Sequence, residues 1–230
     1  MGTQPAVRGR RNFLTKLKAA TAGLAALGLA SGAKAATQAP DAWKPAVHKE
    51  DAWFNVPSKH RLVFDTTTAN GLGEALLFAA NYIGINNGEY GVENSELAVV
   101  LVVRYQSVVF AYNDAIWAKY GSILGTRAKF DDPKTKTAPK VNVYTSRELA
   151  GLSLSNGANW VDLSAQGARL AVCNVATHNT AFAIGQKTGA KPDDVYEELK
   201  SNLVSNARLV PAGIVAVSRA QEYGYTLVTT

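Results

Sequence analysis

The sequence predicts a single doubly wound α/β domain built on a mainly parallel sheet of about five strands. Three observations carry that expectation. Apolar, β-branched runs alternate with segments whose apolar residues recur at spacings of three and four, the pattern of βαβ units. Two of the runs, ELAVVLVVR at 96–104 and RLAVCN at 169–174, are nearly unbroken, as strands covered on both faces are. Turn-forming residues punctuate the helical segments, among them Gly189, Pro192 and Gly224.

The elements follow in order. Residues 61–67 (RLVFDTT) read as the first strand, β-branched and aromatic. Residues 72–85 read as a helix, with Leu72, Ala75, Leu76, Ala79, Tyr82 and Ile83 on one face. The second strand is 96–104, and a second helix over 108–120 carries Phe110, Ala111, Ile116 and Trp117. Residues 125–140 (GTRAKFDDPKTKTAPK) are polar and read as a surface loop, and 146–154 as a short helical segment. The third strand, 169–174, precedes a helix over 181–188. Pro192 opens another helix, running to about Asn202. A short strand at 207–210, a helix over 213–223 and a closing strand at 225–228 complete the domain. In such sheets ligands gather beyond the carboxyl ends of the strands. That edge takes Arg104-Tyr105-Gln106 and Cys173-Asn174.

Ahead of the domain the chain changes character. RGRRNFLT at 8–15 resembles the twin-arginine export signal, with Arg10-Arg11 followed by Phe13-Leu14. A weakly apolar Ala/Gly/Leu stretch follows, too short and small-sided to span a bilayer stably. Ala33-Lys34-Ala35 then offers a small-x-small cleavage site. This divides the chain into a signal peptide at 1–35, a leader at 36–60 and an α/β domain at 61–230. The leader repeats DAW at 41–43 and 51–53, and Trp43 and Trp53 are expected to pack on the domain or on a neighbouring subunit.

The signal also explains the charge. The full chain has 24 Lys+Arg against 18 Asp+Glu. Residues 1–35 hold six of the basic groups and no acid, so the remainder balances at 18 against 18. The high sequence pI of about 9.4 therefore belongs to the signal. The electrostatic reason to expect nucleic acid or an anionic membrane goes with it. The expected location is the periplasm, with no stable membrane insertion after cleavage.

Cys173 is the one cysteine. In an oxidising compartment it has no internal partner, so it is buried and inert, paired between chains, or a reactive thiol. A helix starting near Asn179 or Thr180, capped by those residues, would lend its partial positive end to a thiolate. His178, five positions on, is a candidate base or cationic partner, and Arg104 another if its strand is adjacent. Two ligands at Cys173 and His178 do not make a structural zinc site, which wants four, and no metal or cofactor is expected. TTTANGLGEA after the first strand lacks the third glycine and the Lys-Ser/Thr ending of a phosphate loop.

Four stretches, 99–121, 167–185, 195–204 and 209–228, together carry a family resemblance. Asn113-Asp114 with Trp117-Ala118-Lys119-Tyr120, Cys173-Asn174 with Ala176, and Val210-Pro211-Ala212-Gly213 with Ala220-Gln221 and Gly224 are its main pieces. They resemble the sulfur-relay DsrE/DsrF-like superfamily, in its exported branch with twin-arginine signals, from about Lys59 onward. Asn81 matches an Asn common on that family's first helix. The resemblance implies a flavodoxin-like fold and a homo-oligomer, a trimer or hexamer. It implies a cysteine at the position of Cys173 that accepts sulfur as a persulfide and passes it on. Cys173 and His178 are then the candidate catalytic residues, and Arg104, Tyr105, Asn174 and Asn81 candidate ligand-binding residues. The pair Arg104-Tyr105 departs from the polar or small pair, commonly containing His, found in many relatives of this branch. The rival expectation is a non-catalytic module that binds a small ligand or a partner, with Cys173 packed in the core.

Overall fold

The computed structural model describes residues 48–49, 51–145, 149 and 155–230. The expected export signal, the expected leader as far as 47 with Glu50, and the segment 146–154 except Leu149 fall outside the described residues. All described residues belong to one compact unit, Pro45–Thr230.

Five strands, β1 (His60–Thr66), β2 (Leu97–Val103), β3 (Arg169–Cys173), β4 (Ala207–Val210) and β5 (Thr226–Thr229), form one sheet in the order 4-3-2-1-5. Every neighbouring pair is parallel. The expected α/β class, a doubly wound sheet of the flavodoxin-like kind, is what the chain adopts. The helices with described bounds are α1 (Ala69–Tyr90), α2 (Asp114–Ala128), α3 (Trp160–Ala165), α4 (Asn174–Thr188), α5 (Pro192–Ser201) and α6 (Gly213–Glu222).

Alternation along the central strands builds two cores. Phe64, Val99, Leu101, Val103, Leu170 and Val172 face one side, with Leu72, Leu76 and Ile83 of α1, Ile116 and Trp117 of α2, and Ile184 of α4. Val63, Ala98, Val100, Val102, Ala171 and Val210 face the other, where α6 supplies Ala216, Val217 and Ala220. The central strands are thus apolar on both faces because both faces are covered. The end of the leader takes part in the second core. A 3-10 turn at Asp51–Phe54 buries Phe54 completely against Tyr225, rings 6.1 Å apart. Trp53 packs on the domain as expected, under the guanidinium groups of Arg169 and Arg208, each 5.7 Å from its ring.

Several boundaries differ from the sequence expectation. Helix α1 runs past 72–85 at both ends, from a Thr68 cap to Gly91 at φ 64°. Near its end Asn87, Gly88 and Glu89 are exposed and carry no apolar periodicity to read. The expected helix over 108–120 is two elements. Ser107–Ala111 is a fully buried 3-10 turn, and α2 begins only after Asn113, whose side chain accepts from the Ala115 and Ile116 amides. A segment buried on all sides has no apolar face to show a period, so the break is silent in the sequence. The expected surface loop is also a packing element. Helix α2 takes its first four residues, and its far end returns across the core side. There the Pro139 carbonyl lies where a side chain at Gly121 would be, and buried Asn142 donates to the Phe110 and Tyr112 carbonyls at 2.7 and 2.8 Å.

Candidate functional site

Helix α4 does not wait for Asn179. It starts at Asn174, directly after β3, and Cys173 itself is the N-cap, with the Ala176 amide donating to Sγ at 3.5 Å. The expected cap at Asn179 or Thr180 is therefore corrected. Thr180 is instead buried inside the helix and donates to the Ala176 carbonyl at 2.8 Å. A thiol in the cap position sits where the helix amides and the dipole favour negative charge. Thr177 braces the same turn, donating to the Cys173 carbonyl at 3.1 Å. The fully buried Tyr112 hydroxyl lies 3.2 Å from Thr177 Oγ1, and burial pushes its phenol well above the ordinary value.

β2 and β3 are adjacent, so Arg104 does reach the neighbourhood of Cys173. Gly213, at the start of α6, marks the junction. A Cβ there would meet Arg104 Cβ at 2.8 Å and Cys173 Cβ at 3.2 Å. Only a residue without a side chain lets α6 close over both. Arg104 is held by a fork: Nε and Nη2 donate to the two oxygens of buried Asp65 at 2.7 and 2.8 Å. That hydrogen bonding raises the guanidinium pKa further, and the Asp65 carboxylate balances its charge. The turn after β2 is pinned to β1, since the Gln106 and Ser107 amides donate to the Thr67 carbonyl. Tyr105 in that turn sits at φ 56°, a left-handed conformation uncommon for a large side chain, and the residue is 62 % exposed.

The remaining expected residues separate from this group. His178 is exposed and stacks flat on Tyr196 of α5, centroids 3.9 Å apart and planes 6° from parallel. The Tyr196 hydroxyl donates to Asn174 Oδ1 at 2.9 Å, so Asn174 and His178 share a partner in α5. No hydrogen bond joins His178 to Cys173. Asn81 is exposed, roughly three turns into α1 and away from the strand ends.

The crevice between β1 and β5, where the strand order reverses, is occupied by the chain itself. Thr230 Oγ1 donates to the Gly71 carbonyl at 2.7 Å over the start of α1. The residues expected at this edge lie instead at the ends of β2 and β3. Sequence reading missed Asp65, and it named Gly213 only within the resemblance, not as a residue of the site. The first had a signal, an acid inside an apolar strand; the second is legible only once α6 is known to cross the strand ends. Among the described residues no three His, Cys, Asp or Glu side chains cluster as a metal site, and no helix is long and apolar enough to cross a membrane. No family model matches the chain, and neither does any curated protein or solved structure.

Proposed function

We propose that the chain is an exported DsrE-like protein that carries a small sulfur species on Cys173. The observation that supports this best is the seat of the thiol. It is a single cysteine at the carboxyl end of a central strand, capping a 15-residue helix near the Arg104–Asp65 pair. In the proposed step the Cys173 thiolate attacks the terminal sulfur of a donor persulfide, R–S–SH. The donor S–S bond breaks, R–S⁻ leaves with the electron pair, and Cys173 becomes Cys–S–SH. A small acceptor thiolate reverses the step. The partial positive end of α4 favours the sulfur anion, Asn174 follows it in the helix, and His178 is stacked on Tyr196. The resemblance at Asn113-Asp114, Cys173-Asn174 and Val210–Gly213, with the export signal at 1–35, supports a periplasmic homo-oligomer, a trimer or hexamer delivered by the twin-arginine machinery.

One observation favours the rival, a binding or interaction module with a structural cysteine: Cys173 is only 6 % exposed. Reversible loading of sulfur on the native protein, absent in Cys173→Ser, separates the two.

A further inference from the structure

A cavity of about 620 Å³ opens between α2, α4 and the turn after β2. It is not lined by Cys173, and its chemistry is different. Arg127 from the last turn of α2 and Lys187 from the last turn of α4 converge on it, and none of the residues lining it is acidic. Gln106 and Gln186 add neutral donors, while Ile123 and the ring of Tyr105 give it an apolar wall.

Cations in the last turns of helices complement the helix dipole, and for the exposed Lys187 that suffices. Arg127 needs more. Its side chain is half-buried, its Nε–H is shielded from solvent, and it has no hydrogen-bond partner. Arg104, Lys119, Lys200 and Arg219 each hold a carboxylate; Arg127 forms no salt bridge among the described residues. The shielded Nε–H does not face the cavity, but Arg127 lines it with no acidic residue beside it, and a cation so placed calls for an anion from outside the chain. The volume is that of a site for a small organic ligand, and an inorganic ion would leave most of it unfilled. Tyr105 is already fixed over the cavity, because the amides that follow it are tied to Thr67.

We propose that this cavity binds a small organic oxyanion. Arg127 and Lys187 hold the phosphate, carboxylate or sulfonate group, and a flat or apolar body lies against Tyr105 and Ile123. The site does not depend on the chemistry of Cys173.

Isothermal titration of the purified protein in about 0.15 M salt tests it, where exposed charges are largely screened. The probe is phenyl phosphate, with phenol and inorganic phosphate as its two halves. Phenyl phosphate should bind once per chain and about tenfold more tightly than inorganic phosphate, and phenol should not bind. Arg127→Gln and Lys187→Gln should each weaken binding about tenfold, the loss of one charged contact. Lys187 is exposed, so its variant folds normally. Ala183→Trp, which fills the cavity, should abolish binding, and Cys173→Ser should leave it unchanged. Absence of binding, binding undiminished in both charge variants, or equal binding of phenol would overturn the proposal.

Discussion

At the residue scale, Gly213 and Tyr112 set the environment of Cys173. Gly213→Ala places a methyl within 2.8 Å of Arg104 Cβ and 3.2 Å of Cys173 Cβ, both in close-packed surroundings. It should cost about 1–3 kcal/mol by urea unfolding, despite alanine's better helix propensity. An unchanged or raised midpoint would show that α6 does not press on the pair. Tyr112 gives a pH signature. Burial raises its phenol in the folded state, so the fold favours the neutral form. That contribution is intact below the unfolded pKa of about 10 and is lost as pH rises beyond it toward the folded value. Stability should therefore fall above about pH 10, and more gently in Tyr112→Phe. At neutral pH the same variant should lose about 1 kcal/mol with its bond to Thr177. Urea midpoints across pH 8–11 check both.

At the element scale, α4 is organised by its cap. Serine is a better N-cap than cysteine, so Cys173→Ser should leave thermal stability unchanged or slightly higher, whereas Cys173→Ala should lose about 1 kcal/mol. A calorimetric comparison decides it, and it also establishes Cys173→Ser as a folded control. The cap shows where legibility ended. The apolar run Leu170-Ala171-Val172 announced a buried strand, and Cys173 at its end was evident. The helix start was not, because Asn174, Val175 and Ala176 have no apolar period, and a thiol is not an expected cap. Likewise α2 is visible through Ile116 and Trp117, yet Ser107–Ala111 is hidden by being buried on every side. The pairing of Arg104 with Asp65 joins residues 39 apart in sequence and depends on the register of β1 against β2, which no local pattern encodes.

At the scale of the whole molecule, the sheet was legible because its strands are apolar on both faces. What the monomer leaves uncovered was not. Val175 and Phe182 of α4, each 54 % exposed, are seven residues apart and share one stripe, and Phe78 and Ile85 of α1 repeat the spacing at 44 and 54 %. Apolar stripes of this kind fit the proposed homo-oligomer. Sedimentation should give a trimer or hexamer, and Phe182→Asp should shift it toward monomer. A monomeric wild type would remove that part of the proposal.

The central claim is that Cys173 carries sulfur, and intact mass tests it most directly. The native protein is measured alone, after a polysulfide donor, and again after a reductant. The account predicts a reversible gain of about one sulfur mass per chain, absent in Cys173→Ser. No gain, with the thiol alkylated only in denaturant, would contradict it and leave Cys173 as the structural cap of α4.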